Sequence, residues 1–253
     1  MIDTHCHVDF KDYNKNREDV IKRAKKKLNA IINSGATLGG NRRTLKLVEE
    51  YKGFLHGTLG FHPVNASKVD YNIIEQAFRE INENIDNAVA VGETGLDFHH
   101  IEDTEARNRQ IKVFRSFIDL SNEYEMPIVI HARDAELKAL EKIKKYSADV
   151  DVIFHCYGGD LETLHNIIDE SYYVSFSTII CYSDHHKELV EYAPLENILT
   201  ETDSPYLSPF KGQKNEPAFV EETVKKIAEI KSRSLADVEK ITEKNAKKVF
   251  KLR

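Results

Sequence analysis

The stretch 72–133, NIIEQAFREINENIDNAVAVGETGLDFHHIEDTEARNRQIKVFRSFIDLSNEYEMPIVIHAR, alternates two kinds of pattern. Residues 72–84 and 106–125 repeat apolar side chains at three- and four-residue spacing, as helices buried along one face do. Between and after them stand β-rich runs, 88–94 and 127–132, with the length and composition of buried strands. Helix and strand taking turns in this way indicate βα units around a parallel sheet. The alternation continues outward on both sides. Further strands are expected at 2–9, 29–34 and 54–61 before this stretch, and at 151–156, 172–177 and 197–202 after it. Eight strands predict an α/β fold: a single (β/α)8 TIM barrel over residues 1–253, with 235–250 as an additional C-terminal helix. A doubly wound open sheet would carry GxGxxG after its first strand, and that turn is absent. No Pro/Gly/Ser-rich linker or internal repeat marks a second domain.

Bulk composition narrows the function classes. The chain has 253 residues, 41% hydrophobic and 31% charged, the balance of a globular protein rather than a disordered or fibrous one. It contains no run of eighteen apolar residues, and its opening, MIDTHCHVDF, lacks a basic segment followed by an apolar one. A complete cytoplasmic chain, not bound to membranes and monomeric, is therefore the expectation. Three cysteines, Cys6, Cys156 and Cys181, without CxxC spacing suggest neither a disulfide framework nor a structural zinc site. A net charge of −6 argues against nonspecific coating of a polyanion, which draws its affinity from Lys and Arg, but leaves room for a local basic rim. Lys25, Lys26 and Lys27, and Lys247 with Lys248, read as solvated helix faces.

Chemistry-bearing residues gather at the predicted strand ends. His5 and His7 are two apart on the first strand, so both imidazoles share one face, a spacing suited to a metal ion. Glu93 (VGETGLD), His131 (IVIHAR), His155 (IFHCYGG) and Asp203 (TETDSPYL) follow at or beyond later strands. In a parallel barrel every strand's carboxyl end opens on one mouth, so these six converge. Four His and two acids exceed what one tetrahedral ion needs, which implies two divalent cations of the Mg, Mn or Zn kind. By strand order Glu93 lies between the ligand sets and suits a bridging carboxylate. Asp203, on the strand that closes against the first, suits both metal binding and taking a proton from the attacking water. Metal-assisted hydrolysis is the reaction class this predicts, with Asp203 and Glu93 as catalytic candidates.

Seven ordered motifs then carry a resemblance over nearly the whole chain: DTHCH at 3–7, GFHP at 60–63, GETGLD at 92–97, PIVIHAR at 127–133, HCYGG at 155–159, ETDSPYL at 201–207 and NEPAFV from 215. In these the chain resembles the TatD family of metal-dependent deoxyribonucleases, within the amidohydrolase-like barrels. The resemblance implies that His5, His7, Glu93 and Asp203 surround one ion and Glu93, His131 and His155 the other. It also implies DNA as substrate and phosphodiester hydrolysis as the reaction, expected here as 3′–5′ exonuclease action on single-stranded ends. Two positions depart from the usual pattern: Tyr157 stands where Phe is common, and Lys214 precedes NEP where Arg is common. Lys cannot offer the planar fork of Arg, so a phosphate contact there would be altered.

Other residues carry open alternatives. His62 in GFHP reads either as a substrate contact or as a hydrogen-bonded loop histidine, and Arg133 either as a phosphate contact or as a structural ion pair. Cys156 should point away from the metals by strand alternation and pack as a thiol. His99, His100, His185 and His186 read as surface residues, the first two close to the mouth. Asn215 and Glu216 are expected to order the loop after the last strand. The competing function is hydrolysis of a small-molecule or aminoacyl ester or amide on the same barrel, because the same metal-bound hydroxide attacks carbonyls.

Overall fold

The computed structural model describes residues 1–147 and 149–252. Its strands are β1 (Ile2–Cys6), β2 (Ala30–Ser34), β3 (Leu55–Leu59), β4 (Ala90–Asp97), β5 (Ile128–Arg133), β6 (Val152–Phe154), β7 (Tyr173–Phe176) and β8 (Ile198–Thr200). All pair in parallel and in sequence order, each within the span read from the sequence except β4, which runs three residues further, and β5, which runs one further. The β8–β1 seam closes the barrel differently. Low in the wall, the Thr4 and Thr200 hydroxyls donate to Thr200 O and Ile2 O. At the mouth, Asp203 N donates to His5 O at 3.0 Å and His7 N to Ser204 O at 2.8 Å.

The connecting helices are α1 (Arg17–Lys25), α2 (Leu38–Glu50), a short α3 (Pro63–Ala66), α4 (Tyr71–Asn84), α5 (Thr104–Glu123), α6 (Glu136–Tyr146), α7 (Leu161–Asp169) and α8 (Asp184–Tyr192). After β8 come α9 (Val220–Ile230) and α10 (Leu235–Val249), the latter being the additional C-terminal helix. Their starts are chemically marked: Asp103 accepts from Ala106 N at 2.8 Å and Asp160 from Thr163 N at 2.7 Å, satisfying first-turn donors that would otherwise lack partners. Among the described residues no helix is long and apolar enough to cross a membrane.

Period-two alternation sorts each strand between two environments. Ile31 and Leu55 turn outward onto Val20 and Ile21 of α1, while Ile130, Phe154 and Ile198 pack beneath the helices of the other half. Their neighbours Ile32, Ala90, Val129, Ile153 and Leu199 turn inward and meet as one apolar layer. Ala246, Val249 and Phe250, at the end of α10, close this layer from below. Asn245 fixes that plug by donating to Leu195 O and Ile198 O at 2.8 and 2.9 Å. Two residues further along the inward columns stand His131, His155 and Glu201, so the apolar floor and the polar mouth share one face of each strand.

The loop after β8 is held from inside. Asn215 is fully buried and its Nδ2 donates to Thr178 Oγ1, Thr202 O and Tyr206 O at 2.9, 2.9 and 2.6 Å. Glu216 accepts a forked pair from Arg23 at 3.0 and 2.6 Å. The expected ordering role of both residues is thus present. Asn215→Ala removes the buried amide that ties these three groups, leaving Tyr206 O without its donor, and should cost about 1–3 kcal/mol of unfolding free energy, read by urea titration. A loss below about 0.5 kcal/mol would show that the loop holds without it.

Candidate metal centre

The six residues nominated as ligands meet at the mouth. His5 Nε2 and His7 Nε2 face each other at 3.2 Å, and His131 Nδ1 faces His155 Nε2 at 3.3 Å. Glu93 lies between these pairs. Its Oε1 is 3.1 Å from both His131 Nδ1 and His155 Nε2, and its Oε2 is 3.5 Å from His5 Nε2 and 3.6 Å from His7 Nε2. Asp203 Oδ1 approaches His7 Nε2 at 3.7 Å. Asp203 sits past the end of β8 with a left-handed φ of 53°, so a departure from strand geometry aims its carboxylate.

This donor set fits divalent cations. Imidazole nitrogens converge pairwise on a shared carboxylate, and Glu93 Oε2 is buried without a hydrogen-bond donor among the described residues. Burial together with the charge of His155 lowers His5 to about 4, leaving a neutral ring with a free lone pair at pH 7. Burial opposes charge on Glu93, yet His62, His155 and His131 hold its carboxyl well below the usual range. Burial raises Asp203 to about 6 against the pull of His7 and His155.

Glycines make room for Glu93. A Cβ on Gly60 would lie 2.4 Å from Gly92 C and 2.6 Å from Glu93 O, so the GFHP loop can pass this close to β4 only without a side chain. Gly95 has φ 141°, and a Cβ there would lie 2.0 Å from His131 O, which keeps β4 and β5 close where both contribute ligands.

Two buried carboxylates that the sequence reading passed over stand behind the ligands. Asp97 Oδ2 meets His131 Nε2 at 3.0 Å and His100 Nδ1 at 2.9 Å, and its Oδ1 accepts from His100 N at 2.8 Å. His131 therefore turns Nδ1 toward Glu93 because Asp97 holds the other nitrogen. Glu201 accepts from Ser175 Oγ and lies 3.6 Å from His155 Nδ1, while the His5 and His155 rings stack at 3.9 Å and 5°. The missed signals were available: Glu93 to Asp97 is four residues on one strand, and Leu199, Glu201 and Asp203 follow one another at spacing two. Asp97→Asn keeps the shape but removes the charge behind His131. We expect it to weaken metal affinity about 10–100-fold in a chelator competition. Unchanged affinity would assign Asp97 to loop structure alone.

The remaining candidates divide. His62 caps α3, its Nδ1 accepting from Val64 N at 3.2 Å, while its Nε2 lies 3.4 Å from Glu93 Oε1 and its ring rests 4.3 Å from that of His131. It belongs to the mouth as much as to the loop. Arg133 ends β5, exposed, and its guanidinium has no partner among the described residues. Cys156 is free and contacts Ser177 Oγ at 3.3 Å, but at φ 44° and past the end of β6 it lies beyond the reach of strand alternation. Lys214 donates to Asp12 O and covers the Tyr13 ring at 5.5 Å, a structural engagement. His185 faces Gly158 O and Gly159 O, and His186 meets Ser183 Oγ at 2.7 Å, both outside the ligand cluster.

Comparison with known proteins identifies the family. A family profile described as TatD related DNase matches residues 2–251. A metal-dependent hydrolase from Methanocaldococcus jannaschii is 45% identical over 252 residues, spanning 100% of this chain and 97% of that protein. A deoxyribonuclease from Homo sapiens is 30% identical over 259 residues, 99% of this chain and 94% of that protein. Among solved structures, a TatD homolog from Escherichia coli superposes with a TM-score of 0.90 at 25% identity, covering 100% of this chain and 98% of the other. The chain therefore belongs to the TatD related DNase family and is a metal-dependent hydrolase built on a (β/α)8 barrel.

Proposed function

We propose that the chain is a deoxyribonuclease that holds two divalent cations and removes nucleotides 3′ to 5′ from single-stranded DNA ends. The observation that carries this reading is the placement of Glu93, one carboxylate oxygen facing His5 and His7 and the other facing His131 and His155. In this reading His5, His7, Glu93 and Asp203 hold one ion, and Glu93, His131 and His155 the other. Mg, Mn and Zn all suit such ligands. When bound, the ions supply a water acidic enough to ionise near neutral pH and neutralise charge on the attacked phosphate.

The chain's own residues do the rest. Asp203, half-buried just past the end of β8 and beside His7, accepts the proton of the attacking water on its carboxylate. Arg133 offers an unpaired guanidinium to a phosphate oxygen at the rim. His62 turns Nε2 toward the reacting centre from the GFHP loop. DNA is favoured by the deoxyribonuclease names of the human and mouse relatives. The test uses oligonucleotides labelled at the 5′ or the 3′ end, with chelated protein and with Mg-, Mn- and Zn-loaded protein. The reading expects a ladder shortening from the 3′ end only when metal is present. Silence on every DNA substrate, with cleavage of an aminoacyl or small-molecule ester, would transfer the site to the other reaction.

A further inference from the structure

The mouth is chemically divided. Beside β1 and β8, Phe10 lies over the His7 ring with centroids 4.4 Å apart and planes at 19°, and Tyr206 meets Phe10 edge-on at 6.3 Å. Tyr206 is 55% exposed, and its hydroxyl has no partner among the described residues. Its backbone is nevertheless fixed at both ends: Tyr206 N donates to Asp203 O at 3.0 Å, and Tyr206 O accepts from the buried Asn215 Nδ2 at 2.6 Å. A rigid loop thus presents a bare aromatic ring three residues from Asp203. Across the mouth, three strands from β8 and four from β1 in the sheet order, β5 ends in the unpaired guanidinium of Arg133.

An aromatic surface on one side of a phosphodiester centre and a free cation on the other match the two faces of a single nucleic-acid strand, its bases and its phosphates. We propose that Tyr206, backed by Phe10, is a stacking shelf for an unpaired nucleobase beside the scissile phosphate, with the strand running across the mouth toward Arg133. This rests on the nuclease reading above and names what selects its substrate. A base inside a duplex has both faces covered by its neighbours, and a terminal pair is held in its stack by the partner strand, so an unpaired end reaches Tyr206 most readily. Stacking tolerates any base, because every base has a π-face.

The test pairs a protein change with a substrate change. Tyr206→Ala should raise KM for single-stranded oligonucleotides roughly 10–100-fold, and Tyr206→Phe should leave it near the wild-type value. An oligonucleotide whose terminal nucleotide is abasic should suffer the same rise with wild type, while Y206A should treat natural and abasic ends alike. A second arm needs no turnover. Chelated wild-type protein and Y206F should quench the fluorescence of a terminal 2-aminopurine in single-stranded DNA, and Y206A should not. An unchanged KM in Y206A, a Y206A-to-wild-type KM ratio as large on abasic as on natural ends, or quenching that survives in Y206A overturns the shelf. Quenching by a wild-type protein that cleaves no DNA would keep the shelf and overturn the nuclease reading.

Discussion

Glu93→Gln is expected to lower metal-dependent turnover about 10,000-fold, equivalent to roughly 5 kcal/mol of transition-state stabilisation. The substitution preserves volume in a site where Glu93 is 2% exposed, so the barrel should still form. What it removes is the charge facing both histidine pairs, and an amide nitrogen aimed at either pair repels a cation. One substitution therefore damages both ligand sets, and metal retained after dialysis should fall below one ion per chain. Elemental analysis beside turnover checks this. Full metal content with full activity would show that Glu93 holds neither ion.

Asp203→Asn should separate binding from chemistry. Three other residues remain around the first ion, so metal content should stay near the wild-type level, while kcat falls about 100- to 10,000-fold with KM little changed. Asparagine keeps an oxygen at the position 3.7 Å from His7 Nε2 but cannot accept the water's proton. If kcat holds and metal is lost, Asp203 is a ligand only, and another group accepts the proton.

Much of this was legible because the barrel ties position to pattern. The eight β-rich runs are strands, and the helices read at 72–84 and 106–125 form as α4 and α5 with ends shifted by two residues or fewer. His5 with His7, and His131 at the end of IVIHAR, follow from period-two alternation alone. Glu201 was missed although it stands in regular alternation with Leu199, whereas the other difficulties lie where the backbone leaves regular strand geometry. Gly95 at φ 141° looks like a strand terminator, so β4 reads as ending at 94 and Asp97 falls in a loop, although β4 continues to Asp97. Cys156 and Asp203, at φ 44° and 53°, follow strands that stop earlier than their sequence pattern suggests. Alternation loses its force there, and the orientation of Cys156 could not be read from it. The cap that His62 makes for α3 was hidden because a four-residue helix has no periodicity to detect.

The two-ion centre is tested by stepwise titration of chelated protein with Mn2+, followed by calorimetry and by cleavage of end-labelled single-stranded DNA in the same samples. Saturation is expected at two ions per chain, with turnover appearing as the second binds. Full cleavage at one ion per chain, or in the chelated protein, would contradict it.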